Sequence, residues 1–233
     1  MRRLLVATRS AGKLRELEPL LVAAGFAPED AARAGIAESP DEAAVEAFDT
    51  FEANALAKAR HFFSLGGGVP VLADDSGLEV RALGGRPGVR SKRWSGRADL
   101  AGEALDAANN AMLVASLANE PDRAARYVCA AAYVDGTREA VLRGEATGTI
   151  VDAPRGANGF GYDPHFMSDE LGKTFGEATR EAKALVSHRS RAVRALLDAI
   201  RDARPDAHGE PRAGAQPCAH RDACRDAPGG PLG

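Results

Sequence analysis

The chain has few cysteines, no long apolar run and no strong charge of either sign, and each shortage removes a class of protein. Only Cys129, Cys218 and Cys224 occur among its 233 residues, too few and too scattered for a disulfide framework. Cys129 sits in an apolar run and reads as a small core residue. No stretch approaches the roughly 20 apolar residues of a membrane helix. The first apolar run, Leu4 to Ala7, is too short for the core of a signal peptide. The expectation is a soluble, cytoplasmic protein without a membrane partner. With 30 basic and 33 acidic residues the net charge is only −3, so no bulk attraction draws the chain to nucleic acid or to an acidic membrane surface. Any anion site must come from basic groups gathered locally. The chain shows no internal repeats.

What is present is an ordinary globular composition, 45% hydrophobic and 27% charged, long enough for one large domain or two small lobes. From Pro205 the composition shifts to Ala, Gly, Pro, Asp, Arg and His, with Leu232 the only large aliphatic residue. Such a segment has little with which to offset its ordering entropy. The expected organisation is a structured domain over 1–204 and a disordered tail over 205–233. Cys218, His220 and Cys224 in that tail match no standard zinc spacing.

Leu4 to Ala7 reads as a buried strand, and Thr8-Arg9-Ser10-Ala11-Gly12-Lys13 as the turn leaving it. Leu14, Leu17, Leu21 and Ala24 then follow helical spacing, with Ser10 as N-cap. Pro19 conflicts with that helix, at a cost of about 3 kcal/mol, and predicts a kink or a broken first turn. Gly12-Lys13 invites comparison with a phosphate-binding P-loop, but Ala7 and Leu14 stand where that pattern needs Gly and Ser or Thr. Helix-start N–H groups beside a lysine still make an anion site; a capped surface turn with a solvated lysine is the alternative. A second helix is expected from an N-cap at Thr50 to Leu65, with Phe51, Ala55, Ala59 and Phe62 inward and Gly66-Gly67-Gly68 ending it. Glu46 just before it and Lys58 within it are either site residues or solvated charges.

Val69 to Ala73 reads as a buried strand ending on Asp74-Asp75-Ser76-Gly77. Ligands gather at the carboxyl ends of strands in α/β proteins, and adjacent acids are costly there without a cation. A plain Asx turn explains the same residue types. Gly84 to Gly88 is a loop free to wrap a ligand or simply to turn. Asp99 to Asn119 reads as a long helix with Leu105, Ala108, Met112 and Ala115 inward, followed by a strand over Tyr127–Val134. Asp135-Gly136 gives a hairpin into Arg138–Leu142, with another strand over Glu145–Val151. Gly156 to Phe166 is a glycine-rich loop presenting Phe160, Gly161, Tyr162 and Asp163. Its rings either stack on a nucleobase or tuck into the core. Ser187 caps a last helix whose apolar face is Val193, Leu196, Leu197 and Ile200. His188, Arg189 and Arg191 crowd its first turn, where the helix dipole favours acids. That inversion suggests an anion receptor, which Lys183 would join.

In this order, Thr8…Gly12-Lys13…Arg15-Glu16-Leu17, Thr50-Phe51-Glu52…Asn54-Ala55…Lys58-Ala59-Arg60, Ala73-Asp-Asp-Ser-Gly-Leu78, Ala82-Leu-Gly-Gly85…Pro87-Gly88, Gly159-Phe-Gly-Tyr-Asp-Pro164 and Ser187-His-Arg189 resemble the Ham1-like non-canonical purine nucleoside triphosphate pyrophosphatases. These are also called inosine triphosphate or XTP/dITP pyrophosphatases. The resemblance spans residues 4 to about 200. It implies an α/β fold of two lobes around a long, mixed, twisted sheet with flanking helices, the site lying in the cleft between lobes, and a homodimer. It implies hydrolysis of ITP, XTP and dITP to the monophosphate and pyrophosphate with Mg2+.

Carried over by position, Thr8 to Lys13 and Lys58 would hold the triphosphate. Glu46 and Asp75, with Asp74 near, would serve the metal, and Asp75 would accept the proton. Ser76, Phe160 to Asp163, Lys183, His188 and Arg189 would contact substrate, Phe160 stacking on the base. Arg9-Ser10 stands where the family usually has Gly-Asn, and Arg81, Arg90 and Ala184 replace an aspartate, an aromatic residue and an asparagine common there. Two other readings remain open: a Maf-like pyrophosphatase for other modified nucleotides, and a nucleotide binder that has lost turnover.

Overall fold

The computed structural model describes residues 1–39 and 42–202. The expected tail, 205–233, lies outside the described residues, as do Cys218, His220 and Cys224. Strand β1 (Arg2–Ala7) leads into α1 (Ala11–Ala23), then β2 (Phe26–Asp30), the single turn α2 (Glu42–Val45), α3 (Phe51–Leu65) and β3 (Val71–Val80). Two 3-10 turns (Arg81–Leu83 and Gly88–Arg93) precede α4 (Gly102–Ser116), β4 (Ala124–Val134), β5 (Glu139–Ile150), β6 (Phe166–Ser168), β7 (Lys173–Thr174), α5 (Arg180–Val186) and α6 (His188–Asp202). No helix among the described residues is long and apolar enough to cross a membrane.

The strands form one seven-stranded sheet in the order β2-β1-β3-β4-β5-β6-β7. β1 is parallel to β2 and β3, and the remaining pairs are antiparallel, the mixed α/β sheet the sequence implies. Because side chains alternate along a strand, β1, β3 and β4 bury residues on both faces. Leu4, Val6, Leu72, Cys129 and Ala131 pack under Leu17 and Leu21 of α1 and Val193, Leu196 and Ile200 of α6. Leu5, Ala7, Val71, Ala73, Val128 and Ala130 pack under Phe51, Ala55, Ala59 and Phe62 of α3. A third cluster, including Leu78, Tyr127, Phe166 and Phe175, fills the β5–β7 end.

Four expectations need correction. β3 does not end at the acidic pair but runs through Asp74, Asp75, Ser76 and Gly77, because β4 pairs with every residue from Val71 to Val80. The ladder overrides the turn preference of these residue types. Gly77 serves close approach, since a Cβ there would lie 2.4 Å from both the Gly88 carbonyl oxygen and Ser91 Oγ. The two strands expected after the hairpin are one, β5, paired throughout with β4. Gly144, which resembles a break, lets α6 cross: a Cβ would meet the His188 carbonyl oxygen at 2.3 Å.

Helix α4 is shorter than expected, and its buried residues are Asn109 and Leu113 while Met112 is exposed. An asparagine faces inward because both amide ends are bonded, Oδ1 accepting from Ser95 N–H at 2.8 Å and Nδ2 donating to the Lys92 carbonyl at 3.0 Å. Finally, α1 continues unbroken through Pro19. The N-caps hold as expected: Ser10 accepts from Lys13 N–H, Thr50 from Ala53 N–H and Ser187 from Ser190 N–H.

Candidate active site

Parallel pairing of β1 with β3 stops at Ala7–Ala73. The turn leaving β1 therefore emerges beside Asp74 and Asp75, and beyond the last rung the Asp74 carbonyl is free to accept from two lysines. Lys58 Nζ donates to it at 2.8 Å and Lys13 Nζ at 3.4 Å. Thr8 Oγ1 accepts from Ser10 N–H at 3.2 Å, tightening the turn.

The two acids stand on opposite faces of β3. Asp74 faces α1 and α6 and is 1% exposed. Its Oδ2 lies 3.0 Å from Lys13 Nζ and accepts from Arg189 Nε at 3.0 Å. Burial would raise this carboxyl, but Lys13, Arg189 and Lys58 outweigh it and hold the group far below its ordinary range. Asp75 faces α3, where Asn54 Nδ2 donates to Oδ2 at 2.9 Å and Ser76 N–H donates to Oδ1 at 2.9 Å. Burial is the largest influence on Asp75 and pushes its carboxyl up; Glu46 adds to this while Lys13, Lys58 and Asn54 oppose it. Side by side in sequence, the acids differ in state because their surroundings differ.

Glu46 pairs with Lys58. Burial opposes the charge on Lys58, yet Glu46 and Asp74 keep its ammonium above the ordinary value. On the other face the charges alternate in a continuous run. Arg189 bonds Glu16, Asp74 and, at 2.8 Å, Ser76 Oγ. Lys183 Nζ reaches Glu16 at 2.7 Å and Asp163 at 2.5 Å.

The Phe160–Asp163 loop closes on this cluster. Phe160 N–H donates to Asp163 Oδ2 at 2.8 Å, and its ring lies so close to Gly12 that a Cβ there would meet it at 2.6 Å. Lys183 Nζ is 5.2 Å and the Arg189 guanidinium carbon 5.6 Å from the ring centre. Tyr162 turns the other way, into the third core cluster, its hydroxyl donating to the Ser91 carbonyl at 2.7 Å. Tyr162 thus takes the core position open to these rings, while the Phe160 ring lies over Gly12 beside Lys183 and Arg189.

Two expected contacts come out differently. Arg9 does not face the cluster. It forks onto Glu42 and donates to the Ile36 and Ala37 carbonyls at 3.0 Å, binding the segment before α2 to the β1–α1 turn. The first turn of α6 is also no free anion receptor. Arg189 is 2% exposed and committed to carboxylates. His188 is 3% exposed and stacks on Tyr127 with centroids 4.5 Å apart. Burial above all, then Arg189 and Lys183, depress its imidazole well below the usual value, so it is neutral at pH 7. Ala11 sits exposed at the start of α1.

Two side chains of the cluster lie in the matched motifs but carry no assigned role from sequence: Glu16, which bridges Lys183 and Arg189, and Asn54, which orients Asp75. Asn54 left a signal, being polar on the apolar face of α3. Its Oδ1 is occupied by Phe48 N–H and its Nδ2 shared between the Phe48 carbonyl and Asp75.

Among the described residues no three His, Cys, Asp or Glu side chains converge as a metal cage. Glu46 and Asp75 interact and share the lysine side of the site, a two-carboxylate set that suits Mg2+ held jointly with phosphate and water oxygens. Asp74, on the opposite face and engaged by Lys13 and Arg189, does not belong to that set.

A family model described as the Ham1 family matches residues 4–199. The chain belongs to the Ham1 family. Among similar Ham1 relatives, a dITP/XTP pyrophosphatase of Ralstonia nicotianae is 45% identical over 204 residues, 86% of this chain and 98% of the relative. One of Mycobacterium tuberculosis is 49% identical over 201 residues, 85% and 95% of the two chains. A HAM1 protein from Coxiella burnetii shares the fold with a TM-score of 0.74 at 32% identity, over 87% of this chain and all of that one. A nucleoside-triphosphatase or dITP/XTP pyrophosphatase from Mycobacterium abscessus aligns with a TM-score of 0.64 at 41% identity, over 84% and 98%.

Proposed function

We propose that the chain hydrolyses the α–β phosphoanhydride of non-standard purine nucleoside triphosphates (ITP, XTP and dITP), releasing the monophosphate and pyrophosphate. The observation that carries this is the division of the acidic pair: one carboxylate gathers cations, while the other is buried, raised and faces lysines across from Glu46. A buried carboxylate held in place by Asn54 and the Ser76 N–H is suited to accept a proton from water. Relatives named dITP/XTP pyrophosphatases support the substrate class.

In this reading the Thr8–Lys13 turn, Lys13, Lys58 and Ser76 receive the triphosphate, supplying the local positive charge that a net-acidic chain needs. Asp75 takes the proton of the attacking water, and Asn54 fixes the orientation of its carboxylate. Glu46 and Asp75 would hold Mg2+, which supplies charge neutralisation at the phosphate oxygens. Phe160 offers its face to the purine, and Lys183, Asp163 and Arg189 hold that ring and its loop in place.

Selectivity for a keto group at purine C6 follows from donors at the base site. Backbone N–H groups at the base site would donate to a keto oxygen, whereas an amino group would leave a buried donor unpaired. The enzyme acts on the cytoplasmic nucleotide pool as a homodimer. Light scattering after gel filtration tests the dimer.

The functional test is a panel of ITP, XTP, dITP, GTP and ATP with Mg2+, reading pyrophosphate and orthophosphate separately. The expected result is pyrophosphate as first product, with keto-purine substrates preferred over ATP by at least about tenfold. Orthophosphate as first product points to another reaction class. Equal rates across the panel, or binding of ITP without turnover, overturn the proposal.

A further inference from the structure

Helix α4 contributes no residue to the cluster around β3, yet it grips the loop that closes on it. Asp106 Oδ2 accepts from Gly161 N–H at 2.8 Å, and Asn110 Nδ2 donates to the Gly161 carbonyl at 3.0 Å. Four residues apart, these side chains share one helix face and take both polar groups of a single loop residue. Asn110 Oδ1 has no hydrogen-bond partner, so the loop contact is what aims this amide.

Gly161 lies between the two rings that diverge, with φ at +62°, a conformation side chains rarely adopt. A glycine there leaves the loop locally soft, and only external contacts can fix its direction. Two-point attachment of one residue does so: it stops the two peptide planes that flank Gly161 from rotating, which would carry Phe160 off Gly12. The same helix steadies the far side of the loop. Asn109 binds Lys92 and Ser95, just after the Ser91 carbonyl that receives Tyr162. Burial also pushes the Asp106 carboxyl up, with the Gly161 N–H opposing, which marks this carboxylate as partly desolvated for one backbone donor.

We propose that Asp106 and Asn110 are positioning residues that hold the Gly161 backbone so that Phe160 is presented to the purine, setting affinity for the base without touching substrate. This rests on the functional reading above, which places the base at Phe160.

Asp106→Asn, Asn110→Ala and the double variant of the full chain test it, since both positions are half-buried and outside the core. Three readouts are needed: steady-state kinetics with ITP, inhibition by inorganic tripolyphosphate, and deuterium uptake over residues 157–164. The expected result for Asn110→Ala is a KM for ITP raised about tenfold, the scale of one lost hydrogen bond in a desolvated site, with kcat within about twofold. Tripolyphosphate, which has no base, inhibits the variants as it does the original chain, and loop uptake accelerates. The double variant loses less than the sum of the singles, because both grip one residue. Unchanged uptake overturns the clamp, and accelerated uptake with an unchanged KM overturns the positioning role. A parallel loss of tripolyphosphate inhibition shows a general structural defect and also refutes the proposal. Failure of the original chain to release pyrophosphate from ITP refutes the functional reading itself, before any variant is made.

Discussion

Replacing Asp74 by asparagine keeps the shape of the side chain and removes its charge from a position 1% exposed. Lys13 and Arg189 both lose a carboxylate at 3.0 Å. Breaking a buried ion pair by removing one partner costs about 3–5 kcal/mol. Two features place this case near the lower limit: Arg189 retains Glu16 and Ser76, and Lys13, with 17% of its side chain exposed, can turn towards water. A loss of about 3 kcal/mol corresponds to a fall in Tm of roughly 6–12 °C for a domain of this size.

The assay is reversible urea unfolding of both proteins across a pH series. The carboxyl of Asp74 is depressed in the folded state, so its contribution is fully present above the unfolded pKa of about 3.9 and fades as pH falls towards the folded value. The stability gap should therefore be constant from pH 5 to 8 and close below about pH 4. A gap under about 1 kcal/mol at pH 7, or one that widens on acidification, refutes the view that this carboxylate binds the cations together.

Asp75→Asn should behave in the opposite way, losing about 10²-fold or more in turnover while keeping or gaining Tm, because a raised acid is strained by its charge when folded. Turnover near the original level, or a collapse in Tm, would remove Asp75 from its role. In the unaltered enzyme, kcat/KM should decline as pH falls through a value above the ordinary carboxylate range, with a slope that tracks Asp75; an acid limb at an unshifted carboxylate value argues against it as base. Gly12→Ala should displace the Phe160 ring, which a Cβ would meet at 2.6 Å, and raise the KM for ITP several-fold, at an overpacking cost of about 1–3 kcal/mol; an unchanged KM would mean that the ring is not needed where it lies. Chelation should abolish pyrophosphate release and added Mg2+ restore it, and full activity in excess EDTA would exclude the Glu46–Asp75 metal site.

Periodicity and capping made much of this fold legible. Ser10, Thr50 and Ser187 cap where their residue types suggest, and the apolar faces of α3 and α6 are those read from spacing. Legibility failed where tertiary contacts override a local preference. Turn-forming Asp-Asp-Ser-Gly is held extended by β4, Gly144 is a crossing point, and Asn109 faces inward because two backbone groups meet it. In the site, the charged residues are identifiable from the ordered motifs, but their partners are not. Nothing local marks Arg9 as bound to Glu42, or His188 as neutral under Tyr127. The partners that set these states, Glu42 for Arg9 and Tyr127 for His188, are distant in sequence.

The split of Asp74 and Asp75 across one strand also bears on how the enzyme can change. A slip of one residue in β3 would exchange the two acids, but pairing with β4 at ten consecutive positions and with β1 at three fixes the register. Within that frame β3 acts as a partition. Substitutions on α1 and α6 retune the grip on the cations, and substitutions on α3 retune the carboxylate that faces Asn54, each from its own side of the sheet. Under the proposed function the grip on the cations and the proton acceptor are thus adjusted from opposite sides of the strand, and Lys58 of α3, which reaches the Asp74 carbonyl, is where the two sides meet.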